Sequence, residues 1–216
     1  MGVLMMAATI GGLILAAILF AAGLWTQKTW LTKFVLGAVA IWFVFYTAML
    51  FGFSLMSREE NLGLNQPKAF CGFYLDCHLH TAVAGVRKTK TLGDKTAKGD
   101  FYVVKVKVSS DAKRVALGLH APQFEVVDAN NRRFQRIEDI TVSGNEFEQK
   151  VPAGESFTGE IVFDLPADVQ NPRLDIAEGI GIDKVIESVV VDDEDSILHK
   201  RIFFKLEEQP QTVSVK

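Results

Sequence analysis

Two long apolar runs fill the first quarter of the chain, and short alternating runs fill the rest. Val3 to Trp25 and Phe34 to Met56 are each 23 residues without a charged side chain. At ~1.5 Å of rise per residue, either run makes a helix of roughly 34 Å, enough to cross a ~30 Å hydrocarbon layer with some tilt. Trp25 and Trp30 flank the connection, where amphipathic rings favour the headgroup level. The pattern predicts a transmembrane helical hairpin over 3–25 and 34–56, with the lipid bilayer as its partner. A cleaved signal peptide fits less well, because no basic residue precedes the first run and a signal core is only about 7–15 residues long. Small residues recur on both helices: Gly12 and Ala16 lie four apart, and Gly37 stands with Ala38 and Ala40. In lipid, such residues let backbones approach closely. They serve either the hairpin's own packing or a contact with other membrane subunits.

Beyond Met56 the period changes. Residues 57–67 are polar, with Asn61, Gly63, Asn65 and Pro67, and read as a linker. Tyr102, Val104, Val106 and Val108 then alternate with Phe101, Val103, Lys105 and Lys107, the two-residue period of a strand. Val115, Leu117 and Leu119 repeat it, and Phe157 to Leu165 marks a later strand. Phe124–Val127 runs into Asp128-Ala129-Asn130-Asn131, a cluster suited to a tight turn with positive φ, and Arg132–Ile137 returns. Val185–Val191 and Ile202–Leu206 complete the set, separated by the acidic loop Asp192–Asp195. Short strands at intervals of about ten residues predict an antiparallel β-sandwich of immunoglobulin-like fold over 68–208, with a flexible tail at 209–216.

Three stretches carry a family resemblance: Gly99-Asp100-Phe101-Tyr102-Val103-Val104-Lys105-Val106-Lys107-Val108, then Phe124-Glu125-Val126-Val127-Asp128, and Val151-Pro152-Ala153-Gly154-Glu155 followed by Gly159 to Pro166. Across roughly Cys77 to Leu174 the chain resembles the telokin-like, immunoglobulin-fold domains of unknown function on bacterial surface proteins. The resemblance implies an extracytoplasmic, membrane-tethered binding or structural module. It brings no catalytic residues, and the chain departs from the usual anchor by using two helices.

Charge narrows the partners. Residues 1–56 hold Lys28 and Lys33 and no acid, leaving 21 Lys+Arg against 26 Asp+Glu in the remainder. A domain with a net charge of −5 lacks the clustered cations that phosphate contacts demand, which sets nucleic acid aside. The two lysines sit in the eight-residue connection, so the positive-inside rule favours a cytoplasmic loop. The soluble domain then lies outside the cytoplasm, on the far side of a bacterial inner membrane.

One segment concentrates reactive side chains. Phe70 to His80 holds both cysteines and two of the four histidines. On a strand over 75–83, Leu75, Cys77, Leu79 and Thr81 share one face, and Asp76, His78 and His80 the other. Cys71 and Cys77 form a disulfide closing a small loop, which an oxidising compartment permits, or they stay as unpaired thiols with one packed as a small hydrophobe. Asp76, His78 and His80 either form one side of a copper or zinc site or are a solvated face. The six-residue spacing is neither Cys-x-x-Cys nor the Cys-x-x-Cys-His of c-type haem attachment. Asp192–Asp195 lacks the glycine-containing spacing of an EF-hand, His120 and His199 stand alone, and the serines lie in no nucleophile elbow. The sequence therefore predicts a non-enzymatic accessory or interaction protein without a cofactor, alone or as a subunit of a membrane complex. Its rivals are an extracytoplasmic metal-binding protein and a thiol-redox sensor.

Overall fold

The computed structural model describes residues 2–72, 76–138, 140 and 147–207. The chain divides into two compact units. One comprises the N-terminal helices to Arg58 together with Gly181–Arg201; the other runs from Glu59 to Ile180 and resumes at Ile202.

In the first unit, helix α1 spans Gly2–Trp25 and α2 spans Thr29–Met56. Unbroken Leu, Ile, Ala and Phe with no internal proline leave nothing to stop either helix before the connection. They pair antiparallel: the Thr9 hydroxyl, itself bonded to the Met5 carbonyl, accepts from Trp42 Nε1 at 3.1 Å. At the turn Gly23 allows close approach, since a Cβ there would lie 2.9 Å from Thr32 Cγ2. Little of the helix surface is buried: Gly2 and Gly23 on α1, and Val35, Leu50 and Ser54 on α2. Both helices are long and apolar enough to cross a membrane. The short helix α3, Ile182–Glu187, and the turns after it complete the unit.

The second unit is a β-sandwich. One sheet has the order β2-β3-β4-β7, from Lys68–Gly72, Asp76–Leu92, Lys95–Ser110 and Ser156–Leu165. The other has the order β1-β9-β8-β5-β6, from Glu60–Leu62, Ile202–Lys205, Arg173–Ala177, Gln123–Val127 and Arg133–Gln135. Alternation decides which side chains meet between them. Tyr102, Val104, Val106 and Val108 of β4 and Ile161, Phe163 and Leu165 of β7 face Phe124, Val126, Leu174, Ile176 and Phe204. Each such side chain contributes about 1.5–3 kcal/mol by leaving water. The intervening residues of β4 are apolar too, because Phe101 and Val103 are buried with Val162 and Ile140 on the sheet's other face. At Gly99 the chain passes so near β7 that a Cβ would lie 1.9 Å from the Leu165 carbonyl oxygen. The turn expected at Asp128–Asn131 is present, with φ +58° at Asn131. The wholly buried Asp128 carboxylate ties it by accepting from Asn130 N, Arg132 N and Arg132 Nε.

Four expectations need correction. The 57–67 linker contains β1, which pairs parallel with β9, so the five-stranded sheet is mixed, while the pairings of the four-stranded sheet are antiparallel. Leu62 and Leu64, two apart, pack on the core and account for the ordering. Val115–Leu119 is not a strand; only Leu117 exchanges backbone bonds with Val151, and Gly118 passes close to the carbonyls of Glu148 and Gln149. Val185–Val191 is α3 and turns: Val185 and Val189 are exposed while Val190 and Val191 are buried, which is not the alternation of a strand covered on one face. The 68–208 block is consequently interrupted, since Gly181–Arg201 joins the helices. The tail 209–216 lies outside the described residues.

Candidate functional site

The segment that concentrated the chemistry forms the hairpin of β2 and β3. Phe70 pairs with Leu79 and Gly72 with Asp76, and an irregularity between Phe70 and Gly72 shifts the register. Cys71 and Cys77 are bonded as a disulfide across it, and the described residues contain no free cysteine. Leu79, Thr81 and Val83 are buried, so His78 and His80 occupy the other face as their spacing required.

Those two histidines converge on a residue the sequence did not single out. Asp111 follows the end of β4, and its N–H donates to the His78 carbonyl at 3.0 Å, continuing the β3–β4 ladder. Its carboxylate Oδ1 lies 2.6 Å from His78 Nδ1, and Oδ2 lies 3.5 Å from His80 Nε2. The His78 hydrogen bond holds the Asp111 carboxyl below its ordinary range; partial burial opposes this, and the charge of both imidazoles adds to it. His80 is the more enclosed imidazole, with its side chain 25% exposed against 54% for His78. Asp111 is 31 residues beyond His80 in sequence, and only the β3–β4 register (Leu79 opposite Ser110) brings it within reach.

Two imidazoles aimed at one carboxylate are donor types that copper or zinc takes. Among the described residues, no group of three or more His, Cys, Asp or Glu side chains is disposed to hold a metal ion. The Asp76 side chain lies outside the described residues. A mixed Cys/His site is closed because the disulfide consumes both thiols.

A second polar feature also escaped notice. Lys68 is 3% exposed; its ammonium donates to the Ile176 carbonyl at 2.8 Å and lies 5.1 Å from the Phe70 ring centroid. The signal was available, because Lys68 is in phase with the core residue Phe70. Nearby, burial pushes the Glu178 carboxyl up, while the His120 N–H that it accepts and the charges of His120 and Lys68 pull it down. In the helices, Gly12 and Ala16 line a groove of about 360 Å³ with Ala38 and Trp42, and a Cβ at Gly12 or Gly37 would meet nothing within 4 Å. The hairpin's tight contact is at Gly23.

The profile of the family described as Domain of unknown function (DUF4352) matches residues 76–186. No curated protein matches the chain. Solved structures with similar folds include MPT63, a secreted protein from Mycobacterium tuberculosis, at 13% identity over 68% of this chain and 98% of that one, TM-score 0.44. Another is the yjhA protein from Bacillus subtilis, at 16% identity over 67% and 98%, TM-score 0.44. A third is a beta-sandwich protein from Clostridium difficile 630, at 7% identity over 70% and 96%, TM-score 0.42.

Proposed function

The chain belongs to the DUF4352 family, and on that footing we propose that it is a membrane-anchored, non-enzymatic accessory protein presenting its sandwich outside the cytoplasm. The observation that carries this is the helix pair. A helix apolar around its whole circumference belongs in a core or in lipid. Here Leu13, Ile18, Leu24, Phe34, Ile41 and Phe43 all lie open, so lipid is the solvent these side chains match. Two further features support the side. A Cys71–Cys77 disulfide persists in an oxidising compartment. Lys28 and Lys33 in and beside the connection favour a cytoplasmic position for it. The sandwich, immunoglobulin-like in this reading, then offers its loops and the exposed His78–Asp111 face to a protein partner at the membrane. Protease added to intact spheroplasts tests the proposal. The sandwich is expected to be clipped from outside, with the helices retained in the membrane after alkaline carbonate washing. A protein released by carbonate, or cleaved only after lysis, overturns it.

A second reading, metal handling, is favoured by the convergence of His78 and His80 on Asp111. Stoichiometric copper or zinc in the purified protein, lost in the His78→Ala, His80→Ala double variant, supports it; a metal-free protein whose melting is unmoved by either ion excludes it.

A further inference from the structure

The segment Gly181–Arg201 interrupts the sandwich's sequence and packs in the helical unit. Three hydrogen bonds fix its height along α2. The Tyr46 hydroxyl donates to the Val189 carbonyl at 2.7 Å, the Ser54 and Ser196 hydroxyls lie 3.4 Å apart, and Lys200 N donates to Ser57 Oγ at 2.8 Å. At the N-terminus of α1, Gly2 closes against Val191 of the same segment, where a Cβ would lie 2.0 Å from the carbonyl oxygen. Counted from Trp30 at ~1.5 Å per residue, Tyr46 lies about 24 Å and Ser54 about 36 Å along the helix. A hydrocarbon layer of ~30 Å that begins at Trp30 therefore ends between them. The segment straddles that boundary, and Tyr46 is the residue type that favours it.

Its two sides differ. Val190, Val191 and Ser196 are buried within the unit. Ile182 is 73% exposed, Val185 66% and Leu198 59%, with Val189 and Ile197 open beside them. Ile182, Val185 and Val189 follow the i, i+3, i+7 spacing of one helical stripe running through α3 and the turn after it. Acids outnumber bases in the segment, with Asp183, Glu187, Asp192, Asp193, Glu194 and Asp195 against Lys184, Lys200 and Arg201. Attraction to anionic headgroups is thus not what would hold it at a membrane; apolar contact is.

We propose that Gly181–Arg201 is a membrane-interface collar: Ile182, Val185, Val189 and Leu198 insert among the acyl chains at the outer boundary of the bilayer that α1 and α2 cross. The collar rests on the membrane-spanning reading above. It converts the hairpin from two bare spans into a three-part anchor whose third part enters lipid from the side.

The test uses the full chain in phosphatidylcholine nanodiscs, with its own cysteines held in the disulfide. Single Val185→Cys and Leu198→Cys variants carry an environment-sensitive nitrobenzoxadiazole label, with Ile41→Cys on α2 as the span control and Lys107→Cys on β4 as the water control. Expected is loss of emission at 185 and 198 when doxyl-labelled phosphatidylcholine is included, as at 41, with little quenching by aqueous iodide. If 41 is quenched by doxyl lipid while 185 and 198 respond to iodide as 107 does, the collar is wrong and the span stands. Should 41 respond to iodide instead, the spanning reading fails first. Labels at 185 and 198 shielded from both quenchers mean that a protein surface or a second copy covers the stripe, which also overturns the collar.

Discussion

Removing the Cys71–Cys77 bond is the most direct check on the sandwich's energetics and on its compartment. The bond joins residues six apart in sequence. In the chain-entropy account, closing a loop of about seven residues takes ~8 cal/mol/K from the unfolded chain, or ~2.3 kcal/mol at 25 °C. Both cysteines are exposed, so replacing the sulfurs forfeits little burial and the loop accounts for nearly all of the effect. At ~2–4 °C per kcal/mol for a domain of this size, the Cys71→Ser, Cys77→Ser double variant should melt about 5–9 °C below the oxidised protein. The double variant is used because either single change leaves a lone thiol free to pair between molecules. The assay is thermal unfolding of the full chain followed in the β-sheet circular dichroism band, with the oxidised protein's bond confirmed by mass spectrometry. A shift below ~1 °C with the bond proven refutes the loop-entropy reasoning. Two free thiols in protein taken from native membranes refute the bond itself, and take one support from the extracytoplasmic placement.

Three further outcomes follow from the same structure. Phe163→Ala, emptying a fully buried position of β7, should cost about 3–5 kcal/mol in chemical denaturation, and a loss under ~1 kcal/mol would mean that the core is not packed as described. Gly99→Ala drives a methyl into the backbone at Leu165–Pro166 and should cost about 1–3 kcal/mol by the same measurement; an unchanged midpoint denies the close approach. Burial, then the charges of Asp193 and Asp195, push the Glu187 carboxyl up to about 7 from its usual 4.5. Its proton is held more tightly when folded, so its contribution to stability is full below pH 4.5 and falls as pH rises toward 7, and Glu187→Gln should flatten that part of the melting-temperature profile. A variant whose profile matches the parent between those limits places the titration elsewhere.

Legibility in the sequence followed the strength of the local signal. The helices, the β4 and β7 alternation and the Asp128 turn were read correctly because each is fixed by residues adjacent in the chain. β1 was missed because three residues make no period, and its partner β9 enters some 140 positions later. Asp111 was missed for the same reason on a shorter scale: neither histidine spacing nor composition points to it, and the β3–β4 register alone supplies it. The misreading of Val185–Val191 differs in kind. Its valines favour a strand, and no local residue contradicts that. What overrides the propensity is the environment on each side, with Val190 and Val191 turned into the helical unit and Val185 and Val189 turned away from it. A strand covered on one side alone sends successive residues to opposite faces, so it cannot bury two neighbours together and expose the residue just before them; β4 buries neighbours because both of its faces are covered. A helical turn does both, and it closes its own backbone hydrogen bonds, as Ser188 N to Lys184 O and Val190 N to Glu187 O show. Self-contained bonding is what a segment needs if no sheet stands beside it and the medium beyond offers no water. If the collar proposed above lies at the bilayer boundary, the conformation that departs from the propensity is the one suited to it.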